Sequence, residues 1–108
     1  MSADNGIYIG KFPKALGGFE YRVVEAQAID NLYCCSNQKE EDARIFRTFH
    51  DGEVFMEEGL AWVYANKYSK EFCVLEYGLN MLEFKRPFPH EMTLEKSEKI
   101  IWGKRGKL

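Results

Sequence analysis

Gly6-Ile7-Tyr8-Ile9-Gly10-Lys11-Phe12, then Pro13-Lys14-Ala15-Leu16-Gly17-Gly18, then Phe19-Glu20-Tyr21-Arg22-Val23-Val24-Glu25 spell a strand, a turn and a second strand. In the first run Ile7, Ile9 and Lys11 point one way and Tyr8, Gly10 and Phe12 the other. In the second, Phe19, Tyr21 and Val23 alternate with Glu20, Arg22 and Val24. A two-residue period of this kind is the pattern of β-structure. The Gly17-Gly18 pair suits a turn, because glycine adopts positive φ without a Cβ clash. The spacing predicts an antiparallel hairpin with a loop longer than two residues. Gly10 and the Gly17-Gly18 pair match neither a P-loop nor a dinucleotide fingerprint and read as turn residues.

Downstream the period changes. Asn37 stands three residues before Glu40, the spacing of a capping box, and Glu40, Glu41 and Asp42 crowd a first turn where the helix dipole favours anions. Ile45, Phe46 and Phe49 share one helical face, with Gly52 placed to end the helix in a left-handed conformation. A strand reading of 43–49 competes, since Ile45 and Phe49 also alternate with Arg44. Ala26 to Leu32 is short and fits a turn or two of helix. Glu53-Val54-Phe55 fits a short edge strand. Glu57 to Lys70 reads as a second helix with Met56, Leu60, Val63, Tyr64 and Tyr68 as its apolar stripe. Gly59 inside it costs about 1 kcal/mol relative to alanine, unless something packs closely there. Leu79 to Lys85 reads as a strand stopped by Pro87 and Pro89, with Phe72 to Leu75 a strand or an approach to it. Thr93 to Ile101 reads as a terminal helix capped by Thr93.

These elements predict a small α+β domain over residues 1–89, with a mainly antiparallel sheet, its hairpin first, and helices packed on one face. Residues 90–108 read as an extension, a short helix followed by a loose basic tail. At 108 residues, 45% hydrophobic and 15% aromatic, the chain can build one core without staples. No apolar run approaches the ~20 residues of a membrane helix, and no secretory signal is visible. A cytoplasmic protein with no membrane partner is expected.

Charge excludes little. Residues 1–90 carry 10 Lys and Arg against 14 Asp and Glu, and residues 91–108 carry 5 against 3. Lys104-Arg105-Gly106-Lys107 lacks interleaved aromatics and is a weak nucleic-acid signal. Cys34, Cys35 and Cys73 read as free thiols in a reducing compartment. With His50 they could meet around a metal, but no C-x-x-C unit supports that, and no metal or other cofactor is expected. His50 beside Asp51 invites a base-and-orienter reading, yet neighbouring residues point apart on most backbones, and His50 suits a helix C-terminus as a cation. Glu76 beside Tyr77-Gly78 reads either as a half-buried acceptor for a ligand or as part of a turn. No set of side chains has the spacing of a reaction centre, so a binding protein is expected rather than an enzyme.

Two recognition surfaces suggest themselves. Asp4, Asn5, Asp30, Asn31, Glu76 and Tyr77, with Tyr8 and Tyr33, would suit a small polar or nucleotide-like ligand if they shared a cleft. Tyr8, Tyr33, Tyr64 and Trp62 are candidate anchors for a protein partner or a second copy of the chain, Trp62 because it lies off the apolar stripe.

The opening Met1-Ser2-Ala3-Asp4-Asn5-Gly6-Ile7-Tyr8-Ile9, the phrase Tyr21-Arg22-Val23-Val24-Glu25-Ala26-Gln27-Ala28-Ile29-Asp30-Asn31-Leu32, and Glu76-Tyr77-Gly78 followed by Lys85-Arg86-Pro87-Phe88-Pro89 resemble a group of small uncharacterised proteins of tailed bacteriophages. The likeness spans most of residues 1–89. Members place a tryptophan-like residue near Cys34-Cys35 and a Ser or Thr cap near Met56. This chain departs at both, so neither position takes a role from the resemblance. The resemblance implies expression in an infected bacterial cytoplasm and a host-directed task. The expectation is a non-enzymatic accessory protein that binds and modulates a host protein. The alternative is a protein that binds or sequesters a nucleotide signal.

Overall fold

A computed structural model describes residues 5–27, 29, 32, 37–71 and 78–105. The predicted hairpin is present: β1 (Asn5–Pro13) pairs antiparallel with β2 (Phe19–Gln27), Ile9 facing Val23 and Gly10 facing Arg22. Gly17 and Gly18 turn the chain at φ 103° and 78°, where a side chain would be strained. After them come α1 (Gln38–Phe49), β3 (Glu53–Phe55), α2 (Glu58–Glu71), β4 (Gly78–Glu83) and α3 (Leu94–Arg105). The sheet order is β3-β2-β1-β4.

The α+β class and the leading hairpin stand as expected. The sheet is mixed, however: β3 pairs antiparallel with β2, whereas β4 pairs parallel with β1. The cause is α2. A strand that returns through a helical crossover enters the sheet in the direction of the strand it left, and β3 already runs parallel to β1.

The helices do not share one face, as the sequence reading had it. Tyr8, Phe12, Ile45, Phe46, Phe49, Phe84 and Phe88 form one core under α1. Ile7, Ile9, Tyr21 and Val23 form a second core with Ala61 and Ala65 of α2. Both alternating sets of β1 are apolar, so this central strand needs cover on both sides. α3 packs beside α1, with Thr93 Oγ1 accepting the Lys96 N–H at 3.1 Å and Ser97 fully buried.

Residues 43–49 are helical. Asn37 caps α1, its side-chain oxygen accepting the Glu40 N–H at 2.7 Å. Asn37→Ala is expected to lower stability by about 1 kcal/mol, read from the midpoint of urea unfolding. An unchanged midpoint would mean that the cap contributes nothing.

Four local readings are corrected. Gly52 is not a left-handed cap. Its neighbours explain it instead, because a Cβ there would lie 2.8 Å from Val24 Cγ1 and 3.0 Å from the Val23 carbonyl. Gly10 is a mid-strand residue, not a turn residue, and a Cβ would lie 2.7 Å from the Phe12 ring. Residues 50 and 51 do not point apart: His50 Nε2 lies 3.2 Å from Asp51 Oδ2. In α2 the stripe Met56, Leu60 and Val63 is exposed, and the helix meets the sheet through Ala61 and Ala65. The sheet face is already filled by Ile7, Ile9, Tyr21 and Val23, so the small side chains let the helix sit close. Gly59 has no neighbouring atom that a Cβ would meet.

Candidate functional site

A cleft of about 340 Å³ opens beside β2, between the C-terminal turn of α1 and the flank of α2. β3 pairs only with Tyr21–Val23, so the following residues Val24 and Glu25 border the cleft. The last turn of α1 brings Arg47 and Thr48, the turn after it Asp51, and β3 brings Glu53. α2 contributes Tyr64 and Tyr68, four residues apart and therefore on one face of the helix. Their ring centroids are 5.9 Å apart, and Phe55 backs Tyr64 at 5.3 Å.

Glu25 is the organised carboxylate of this cleft. Its position opposite Ile7 turns it toward the α2 side of the sheet. One oxygen accepts the Asn5 amide N–H at 2.9 Å and the other the Tyr68 hydroxyl at 3.4 Å. Burial, followed by the negative charge and the hydrogen bond of Glu25, pushes the Tyr68 phenol above its ordinary pKa. Tyr68 therefore stays neutral and donating at any physiological pH. Among the described lining residues Glu25, Asp51 and Glu53 stand against Arg47, which leaves the cleft acidic beside the tyrosine wall of α2. Carboxylates and π faces both favour a cation.

A second buried polar feature lies on the α1 side. Glu20 and Arg22 are both buried, and Arg22 Nε donates to Glu20 Oε2 at 2.5 Å. The guanidinium carbon sits 3.8 Å from the centroid of the Phe88 ring, and His90 Nε2 lies 3.3 Å from the other Glu20 oxygen. Glu20 and His90 line a shallow cavity of about 490 Å³ beside the hairpin loop. Near the start of α1, Arg86 pairs with both Glu41 and Asp42.

Among the sequence-predicted site residues, Asn5 is tied to the cleft through Glu25. Tyr64 lines it. Tyr8 is buried in the α1 core and is no surface anchor, because every second residue of a doubly covered strand faces a helix. Trp62 is partly buried against the α2 core, its indole N–H donating to Glu58 at 3.4 Å. Asp4, Asp30, Asn31, Tyr33, Glu76 and Tyr77 lie outside the described residues, as do Cys34, Cys35 and Cys73. Their described neighbours come together at one end of the sheet, Asn5 facing Gln27 and Gly6 facing Gly78. Sequence reasoning missed Glu25, Arg47, Thr48, Asp51, Glu53 and Tyr68 as a set. One signal was present: Glu25 interrupts the apolar alternation of β2 with a charge.

Among the described residues no group of three or more His, Cys, Asp or Glu is placed to hold a metal ion. No helix among them is long and apolar enough to cross a membrane. Compared with protein-family models, curated proteins and solved structures, the chain has no significant match.

Proposed function

We propose that this chain is a non-enzymatic accessory protein of a bacteriophage that binds and modulates a host protein in the bacterial cytoplasm. The contact is a basic side chain of the host protein seated in the acidic, tyrosine-walled cleft beside β2. The observation that carries this reading is the convergence of Glu25, Asp51, Glu53, Tyr64 and Tyr68 on one concavity. An ammonium or guanidinium group there meets carboxylates at the rim and aromatic faces at the wall. The same charge weighs against the alternative, a nucleotide-signal binder, because an anionic ligand would meet like charge.

The test uses the full chain and two labelled octapeptides of matched length, one carrying Lys and Arg, the other Glu in their place. Fluorescence anisotropy should show binding of the basic peptide only, weakening as salt rises. Asp51→Lys with Glu53→Lys should weaken it about tenfold, a change of about 1.4 kcal/mol, without altering the melting temperature. Equal affinity for both peptides, or none for either, removes the cleft as the contact. A thermal-shift panel of nucleotides addresses the alternative. A ligand at 100 times its Kd stabilises by about 2.7 kcal/mol, and such a shift would replace the protein-binding reading.

A further inference from the structure

The cleft beside β2 is a strand edge as well as a charged pocket. Consecutive residues of a strand face opposite sides of a sheet, yet Val23, Val24 and Glu25 all border the cleft. Such a hollow lies along the edge of the strand, not over one face. Its two walls agree. Arg47, Thr48 and Asp51 come from the α1 side of the sheet, and Tyr64 and Tyr68 from the α2 side.

The hydrogen bonds of the hairpin decide what that edge presents. The Lys14 N–H donates to the Gly18 carbonyl at 3.0 Å, so these two residues form a bonded pair. Bonded and non-bonded pairs alternate along an antiparallel ladder. Counted back through the register, Tyr8 with Val24 and Gly6 with Ala26 are bonded pairs, whereas Ile7 with Glu25 is not. The main-chain N–H and carbonyl of Glu25 therefore point away from β1, as do those of Tyr21 and Val23. Tyr21 and Val23 meet Phe55 and Glu53 of β3. Glu25 has no such neighbour. The chain leaves α1 through a turn in which the Gly52 N–H donates to the Phe49 carbonyl at 3.0 Å, and pairing with β2 begins only at Glu53. Among the described residues no main-chain bond reaches the outward groups of Glu25. An open N–H and carbonyl at a sheet edge are a template for a further strand.

We propose that the cleft takes its partner as an extended segment that adds a strand to β2 beside Glu25, with a lysine or arginine opposite that residue. This rests on the reading that a basic side chain fills the cleft, and adds recognition of main chain by main chain. One partner residue, running antiparallel, exchanges both hydrogen bonds with Glu25. Directly opposed residues share a face of the sheet, so its side chain stands with that of Glu25 on the α2 side. Glu53 is on that side too, because it faces Val23, and so are Tyr64 and Tyr68. A cation there meets two carboxylates and two rings. The residues before and after it turn toward α1, where Arg47 offsets Asp51 and no charge is required. The open edge runs from Glu25 to Gln27 at the end of β2, roughly 7 Å, so the added strand is short.

The test uses the full chain and a labelled octapeptide with one central arginine among alanines and serines. Binding is read by fluorescence anisotropy. Methylating the main-chain nitrogen of the arginine removes the donor aimed at Glu25 and should weaken binding about tenfold. Methylating the nitrogen of the next residue, which points away from β2, should leave the affinity unchanged. Amide hydrogen exchange followed by NMR gives a second readout. In the free chain the Glu25 N–H should exchange much faster than those of Val24 and Ala26, which are bonded to β1. Saturating peptide should slow it by about tenfold or more. A Glu25 amide already protected in the free chain overturns the proposal. So does a peptide that binds with the two methylations equivalent, or that binds without slowing Glu25 exchange, and the basic-side-chain reading then stands without the strand. A peptide that does not bind removes both.

Discussion

Phe12→Ala is expected to cost about 3–5 kcal/mol of folding free energy. Phe12 is 1% exposed and touches three other rings. It stacks on Phe84 at 4.6 Å and 5°, and meets the edges of Phe49 and Phe88 at 5.6 and 5.2 Å. Those rings come from α1 and from the segment after β4, so Phe12 is where three distant stretches of chain meet. Its ring also lies over Gly10, where a Cβ would come within 2.7 Å of it. Truncation removes apolar contact from all of these at once. The surroundings cannot collapse into the gap, because they are fixed by a sheet on one side and a helix on the other. A domain of this size holds only about 5–15 kcal/mol in total, so the variant should unfold at far lower urea or not fold at 37 °C. Phe12→Leu keeps most of the volume and should lose less. A loss below about 1 kcal/mol for the alanine variant would show that the aromatic cluster is not the principal core.

Arg22→Met should cost a similar amount, about 3–5 kcal/mol, for an electrostatic reason. Both Glu20 and Arg22 are buried on the α1 side of β2. Each charge has given up most of its water. Within that environment the carboxylate is held by Arg22 at 2.5 Å and approached by His90 at 3.3 Å. Methionine replaces the length of the arginine side chain but not its charge, leaving the buried Glu20 without its cation and the Phe49 carbonyl without the Arg22 donor. His90, itself more than half exposed, compensates in part when it is protonated. Removing both charges together is the discriminating experiment. Glu20→Gln with Arg22→Met leaves no uncompensated ion and should recover at least half of the loss, measured by urea unfolding at constant pH. A double variant as unstable as the sum of the single variants would show that packing on Phe88, not charge pairing, is the main contribution of Arg22.

The parts of the fold legible in the sequence are those written by neighbours. Alternation in 6–12 and 19–25, the glycines between them and the Asn37–Glu40 spacing each concern residues a few positions apart. Their partners are the adjoining backbone, so the pattern is complete within the window that contains it. Even the two-sided cover of β1 was there to be read, since Ile7 and Ile9 on one side and Tyr8 and Phe12 on the other are all apolar. A strand at the middle of a sheet shows that double pattern, whereas one covered on a single side does not.

The candidate cleft was less legible. Glu25, a charge following Phe19, Tyr21 and Val23 in the alternation of β2, was a signal the sequence reading passed over, and Arg47, Asp51, Glu53, Tyr64 and Tyr68 are ordinary surface residues when taken singly. They acquire a common role only because the end of α1, the short β3 and the flank of α2 meet at one sheet edge. The misreading of α2 has the same origin. Leu60 and Val63 fit an apolar stripe, and Ala61 and Ala65 fit a weaker one on the opposite side of the helix. Which of the two faces the sheet depends on how much room Ile7, Ile9, Tyr21 and Val23 leave above the strands.

Local hydrogen bonding and side-chain alternation thus settled, within the chain itself, where the hairpin lies and where α1 begins. Tertiary packing alone decided that β4 runs parallel to β1, that α1 and α2 lie on opposite faces, and that Glu20 and Arg22 meet Phe88 and His90. The physical reason is that a backbone bond or a turn is satisfied by residues next to it. A buried face or a buried charge is satisfied only by volume and charge delivered from far along the chain.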